Sequence, residues 1–235
     1  MMSKLKLIVG LGNPGAQYDA TRHNAGAEWL KTIADQAQIP LALDPKFKGL
    51  LGRGTVLGVE LRLLIPTTYM NRSGDSVGAL ARYYKIEPQE ILVAYDEVAF
   101  APGVVKLRHG GGDNGHNGVK SVSSGLGGKA EFYRLRIGVG HPGDKAQVVH
   151  YLTEQKPPLV ERELIQSSLV WPDQLLCDVV HGRWQAAINA LHGRGTERKP
   201  SGSSDNQAYK KDQQKAEHRI KERSENQDSP PSAQL

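Results

Sequence analysis

The chain has a single cysteine in 235 residues, and aromatic side chains make up only 6% of it. A lone Cys177 excludes a disulfide scaffold and fits a reducing compartment. No stretch approaches the ~20 consecutive apolar residues that a spanning helix needs, so no membrane partner is expected. The opening residues Met1-Met2-Ser3-Lys4-Leu5-Lys6 lack the apolar core of a secretion signal. These features predict a cytoplasmic protein.

The formal net charge is +5. Residues 1–194 carry 22 Lys and Arg against 18 Asp and Glu, and residues 195–235 carry 8 against 7. The excess lies mainly in the first part and leans toward a polyanionic partner. Residues 195–235 contain only six apolar side chains: Ala208, Tyr209, Ala216, Ile220, Ala233 and Leu235. So few cannot offset ~1–2 kcal/mol of backbone ordering entropy per residue. The sequence therefore predicts one folded domain over 1–194 and a polar, disordered tail over 195–235.

Three short apolar runs end in abrupt polar clusters. Leu5–Val9 meets Gly10-Leu11-Gly12-Asn13-Pro14-Gly15, Leu61–Ile65 meets Pro66–Asn71, and Ile91–Tyr95 meets Asp96-Glu97. Runs of this length and composition predict buried strands. Trp29, Ile33, Ala34 and Ala37 recur at helical spacing, as do Val77, Leu80, Ala81 and Tyr84. Alternation of the two patterns predicts an α/β fold: a single domain with a twisted, mostly parallel mixed sheet flanked by helices. Residues 104–108 and 132–139 read as strands with one wetter face. Residues 103–143 hold 12 of the 26 glycines. Leu176, Val180, Trp184, Ala187, Ile188 and Leu191 form a helical stripe, which Gly193 is expected to stop. Ligands of open α/β sheets sit beyond the carboxyl ends of parallel strands. Asn13, Asn71 and Asp96 all lie just past such ends, and would converge if the three strands are neighbours.

Two motifs mislead. Gly10, Gly12 and Gly15 match the dinucleotide fingerprint, but Pro14 and the polar stretch from Gln17 to Arg22 delay the helix to about Asn24, so no helix opens onto a pyrophosphate. Gly74-Asp75-Ser76-Val77-Gly78 spells a nucleophile elbow, yet the segment from Pro66 to Ser73 separates Ser76 from its strand. His23 is the stronger candidate. It enters a helix capped by Asn24 or Thr21, where the helix dipole is expected to keep the imidazole neutral and able to act as a base. Asp96 is the strand-end carboxylate that could hold its other nitrogen. Metal binding by His109, Asp113 and His116 is weak, because the spacing is loose and no thiolate is present.

The segments Ile8–Gly15 with Tyr18, Thr21–Gly26, Thr68–Gly74, Asp96-Glu97, Gly115–Gly118 and Arg134–Gly143 together resemble bacterial peptidyl-tRNA hydrolase, in family order over about residues 5–192. The resemblance implies a monomeric, cytoplasmic enzyme. It would cleave the ester between a peptide, or an N-blocked amino acid, and the 3′ ribose of tRNA, with no metal and no organic cofactor. It implies His23 as catalytic base, Asp96 as the group that keeps it basic, and Asn13 as the sensor of the acylated amine. Asn71 and Asn117 would bind the peptide backbone, the terminal nucleotide or the attacking water. Tyr18, Tyr69, Met70 and His116 would line the same crevice. Lys106, Arg108 and Arg136 would face the phosphate backbone. Ala99 and Asn114 depart from the family pattern, which usually has Asp and Gly there. The alternatives are a non-catalytic RNA-binding protein on the same fold and a serine esterase using Ser76.

Overall fold

A computed structural model describes residues 4–197, with side chains to Leu191; the tail expected over 195–235 lies outside the described residues beyond Glu197. Seven strands form one sheet: β1 (Leu7–Gly10), β2 (Ala42–Asp44), β3 (Gly49–Val56), β4 (Val59–Pro66), β5 (Ile91–Glu97), β6 (Val105–His109) and β7 (Tyr133–Gly138). Their spatial order is β2-β3-β4-β1-β5-β7-β6. The central strands β4, β1, β5 and β7 run parallel, while β3 on β4, β2 on β3 and β6 on β7 are antiparallel. The sheet is thus mixed, with its parallel part at the centre.

Both faces of that centre are covered, which is why β1 and β5 read as unbroken apolar runs and are buried at every position. One face packs on α1 (Ala25–Gln36) and on the C-terminal helices α5 (Leu159–Leu169), α6 (Asp173–Val180) and α7 (Trp184–Glu197). The other packs on α2 (Ser73–Tyr84) and α3 (Asn117–Gly125), through Val77, Leu80, Val119 and Val122. A short α4 (Val148–Thr153) precedes α5.

The stripe from Leu176 to Leu191 is two helices rather than one, broken where Gly182 takes φ 73. Gly193 does not stop the second, which continues to Glu197. Local glycine cost is outweighed there by helix continuity on either side.

Two glycines seat the first helix. A Cβ on Gly26 would lie 2.2 Å from the carbonyl oxygen of Ala94, and one on Gly10 would lie 2.5 Å from that of Gly26. Any side chain would push α1 off β1 and β5, and with it the residues just before α1. The neighbours β4, β1 and β5 bring the polar segments after their carboxyl ends together, as a convergence of Asn13, Asn71 and Asp96 requires.

Candidate active site

Asp96 is the penultimate residue of β5, with a fully buried side chain. A single oxygen, Oδ1, accepts two hydrogen bonds, from His23 Nδ1 at 2.8 Å and from His116 Nε2 at 3.0 Å. His116 caps α3, and its Nδ1 accepts from the backbone N–H groups of Gly118 and Val119. That leaves the ring proton on Nε2, so the tautomer follows from the hydrogen-bond network. His23 spends Nδ1–H on Asp96, and its Nε2 keeps the lone pair.

Burial pulls the His23 pKa down, but the Asp96 charge and hydrogen bond outweigh it and the net shift is upward from 6.5. The helix dipole is thus not the dominant influence on this imidazole: a carboxylate at hydrogen-bond distance outweighs a helix end and makes the ring more basic. Burial raises the Asp96 carboxyl, yet the two histidines prevail and hold it well below the usual carboxylate range. Asp96 Oδ2 is buried and makes no hydrogen bond among the described residues.

Neither Thr21 nor Asn24 caps with its side chain. Asn24 instead clamps the backbone of Asn13: its Oδ1 accepts from Asn13 N at 2.7 Å and its Nδ2 donates to Asn13 O at 3.1 Å. Asn13 Oδ1 then accepts from Met70 N at 2.8 Å. The carboxamide is held by its oxygen, so its NH₂ is the group left to meet a ligand.

A family model described as Peptidyl-tRNA hydrolase matches residues 7–200. The chain belongs to the peptidyl-tRNA hydrolase family. It is 48% identical over 193 residues to a peptidyl-tRNA hydrolase of Pseudomonas fluorescens strain SBW25, covering 82% of this chain and 99% of that one. It is 53% identical over 165 residues to one from Salmonella heidelberg strain SL476, covering 70% and 84%. The crystal structure of peptidyl-tRNA hydrolase from Acinetobacter baumannii superposes with a TM-score of 0.77 at 43% identity, over 81% of this chain and 96% of that one.

Within this family member the remaining predicted residues fall into distinct places. Asn71 and Tyr69 are exposed around a short 3₁₀ turn (Met70–Arg72), and the turn packs against α3, which opens with the exposed Asn117. Tyr18 is half-buried in another such turn. Met70 is buried rather than lining an open wall. Its sulfur lies beneath Gly118, and its backbone N–H orients Asn13. Lys106 and Arg108 are exposed on the edge strand β6, opposite Arg136 and Arg134 of β7. Arg136 is not a solvated strand charge: its Nε and Nη2 donate to Glu97 Oε2 at 3.0 and 2.8 Å, with both side chains largely buried. Nη1 is the donor left over.

Two arginines with structural duties escaped the sequence reading. Arg22, beside His23, is buried; it donates to Gln155 O and Glu161 Oε2 and stacks on Tyr151, tying α4 and α5 to the histidine. Arg134 is buried and donates to the carbonyls of Gly111 and Gly112 at 2.6 Å each, anchoring the loop that leads to His116. The glycine density of that loop was the available signal; its arginine anchor was not visible without the strand register.

His23, Asp96 and His116 also form the one group of potential metal ligands among the described residues, with candidate ligand atoms within 4.8 Å of one another. The network argues for hydrogen bonds instead. With His116 Nδ1 occupied by backbone donors, Nε2 carries the proton and has no lone pair to offer an ion.

Both misleading motifs resolve. The glycines after β1 lead into a 3₁₀ turn (Ala16–Tyr18), and α1 starts only at Ala25, so no dinucleotide cradle forms. Ser76 is buried inside α2, and its Oγ makes no hydrogen bond to a base. Ser76→Ala is expected to leave turnover unchanged, and serine-directed fluorophosphonates to leave the enzyme active. Covalent labelling of Ser76 with loss of activity would reinstate a serine nucleophile.

Proposed function

We propose that this chain hydrolyses the ester joining a peptide, or an N-blocked amino acid, to the 3′ ribose of tRNA, with His23 as general base. The observation that carries the mechanism is the chain of bonds from the His116 cap through Asp96 to His23 Nδ1, which presents Nε2 as the only basic ring nitrogen of the pair. Nε2 takes a proton from water while the water oxygen attacks the ester carbonyl. The C–O bond to the ribose then breaks, and the proton returns from the imidazolium to the 3′ oxygen. Asp96 stabilises the transient imidazolium. A base placed this way is worth ~10²–10⁴-fold in rate.

The Asn13 NH₂ is free to donate, and a donor aimed at a developing oxyanion is worth ~10²–10³-fold. Asn13 sensing the acylated amine, with Asn71 and Asn117 binding the peptide or terminal nucleotide, fits their placement on adjoining turns. Tyr18 and Tyr69 would complete the walls. Lys106 and Arg108, both exposed, together with the remaining donor of Arg136, suit RNA phosphates. The enzyme is read as a cytoplasmic monomer. No helix among the described residues is long and apolar enough to cross a membrane.

Release of N-acetyl-amino acid from N-acetyl-aminoacyl-tRNA, with unblocked aminoacyl-tRNA spared, tests the function; absence of hydrolysis would favour the non-catalytic RNA-binding alternative. The arginines separate by their surroundings. Arg108→Ala is expected to reduce the slope of log affinity against log salt by about 0.7–0.9 for full-length tRNA and to spare an N-acetyl-aminoacyl ester of adenosine. Arg136→Ala also leaves buried Glu97 unpaired, which costs about 3–5 kcal/mol. It is expected to lower the melting temperature and impair both substrates. An Arg136 variant with normal Tm would mean that Glu97 finds another partner.

A further inference from the structure

A concave, positively charged surface lies away from the reacting groups. α2 and α3 pack closely: a Cβ on Gly74 would lie 1.9 Å from Ser121 O, and one on Gly78 would lie 2.3 Å from Gly125 O. Beyond that contact, the last turn of α2, the residues after it and the 125–129 loop enclose a cleft of about 500 Å³. Its charged side chains are Arg82, Lys85, Glu87 and Lys129. Glu87 and Lys129 stand 3.8 Å apart, both mostly exposed, a pairing worth only ~0–1 kcal/mol. The Lys85 ammonium has no ion-pair partner among the described residues.

Two helices end at this cleft, and bare helix C-termini would repel an anion. Here several of the terminal carbonyls are occupied. Lys85 N and Ile86 N bond to Ala81 O, Gly127 N to Ser124 O and Gly128 N to Ser123 O, while Arg82 Nη1 takes Gly125 O. Three cations then face one carboxylate, Glu87, in the lining of the cleft.

The cleft also lies in line with the catalytic groups. His116 caps one end of α3 and the cleft adjoins the other. Nine helical residues span ~13 Å, and between the ends Lys120 is exposed with no ion-pair partner among the described residues. A nucleic-acid strand leaving the ester carries one phosphate per ~3.4 Å of rise, hence about four over that distance.

We propose that the Arg82–Lys85–Lys129 cleft is a second contact for the substrate's RNA backbone, gripping phosphodiesters about four nucleotides or more in from the ester. The proposal rests on the tRNA-esterase reading above. Lysine ammonium groups on flexible stems suit contacts that position a backbone without reading its sequence.

The test is the full chain carrying Lys85→Ala and Lys129→Ala, whose exposed side chains leave the core untouched. With N-acetyl-aminoacyl-tRNA, KM should rise about threefold or more and the salt slope should fall by roughly 1.4–1.8, that is 0.7–0.9 per contact. Turnover at saturation, and all constants for an N-acetyl-aminoacyl ester of adenosine, should stay at the parent values. A matched variant, Lys31→Ala with Arg53→Ala, removes the same charge outside the cleft and should leave the slope alone. An unchanged slope in the cleft variant, an equal change in the matched variant, or equal losses on the adenosine ester would each overturn the proposal. Failure of the parent chain to cleave N-acetyl-aminoacyl-tRNA would overturn the functional reading itself, so the two failures are distinguishable.

Discussion

Replacing His23 by alanine is expected to lower turnover of N-acetyl-aminoacyl-tRNA by at least ~100-fold while leaving affinity for the RNA nearly unchanged. The reasoning is local. His23 supplies the only ring nitrogen with a free lone pair next to Asp96, because His116 has both nitrogens engaged. His116 therefore cannot take over as base without giving up its cap on α3. The exposed cations that suit phosphates, Lys106 and Arg108, sit on β6, whereas His23 sits in the turn before α1. Single-turnover rates at saturating enzyme, alongside direct tRNA binding, separate the two quantities. Near-normal turnover would remove His23 from the role of base, and a parallel loss of affinity would mean that it binds rather than reacts.

That assignment was partly legible beforehand. β1, β4 and β5 announced themselves as apolar runs because the centre of the sheet is buried on both faces. β2 and β3 did not: Gly49, Gly52 and Gly54 break up the apolar residues of Gly49–Val56, and Ile39 packs where side chains of Gly52 and Gly54 would stand. Asn13, Asn71 and Asp96 could be placed together by strand-end reasoning once the strands were assumed to be neighbours. What no local pattern could supply was register. The pairing of Arg136 with Glu97 and the anchoring of the glycine loop by Arg134 depend on which residues of distant strands stand beside each other, and the shared oxygen of Asp96 depends on where a turn and a helix cap bring His23 and His116. The direction of the His23 shift was missed for another reason: the sequence offered both a helix end and the Asp96 carboxylate, and the 2.8 Å bond between His23 and Asp96 decides which prevails.

Asp96→Asn is the second large expected effect: a drop in kcat/KM of at least ~100-fold with a changed pH profile. In the parent enzyme the rate should climb with pH as His23 loses its proton, with a midpoint above 6.5 because its pKa is raised. The amide removes the charge responsible and leaves burial, which lowers the pKa. The acid limb should therefore move to lower pH, with a weaker base and a lower plateau. The new NH₂ would stand where Oδ2 has no partner, at a cost of about 1–3 kcal/mol. The parent pair also links stability to pH. The depressed Asp96 contributes stability that is present above about 4 and lost as pH falls through its folded value. The raised His23 contributes stability that is full below about 6.5 and lost as pH rises through its folded value. The difference in Tm between parent and variant should thus be widest from about pH 4 to 6.5. An acid limb that stays in place would show that Asp96 is not what sets the basicity of His23.

The central position of β1 has a consequence for how a working molecule comes into being. β1 is made first, yet its partners begin at Val59 and Ile91, and Asn13 waits for a residue 57 positions further on. His23 has no carboxylate until Asp96 emerges, and that carboxylate has no second histidine until His116 follows. At ~5–20 residues per second of synthesis, the 73 residues between base and carboxylate take roughly 4–15 s. During that interval the nascent chain carries its reactive end as an unassembled apolar strand. Truncated copies that stop short of β5 would own the histidine and lack the enzyme, so activity arrives late and all at once, with the closing of the sheet.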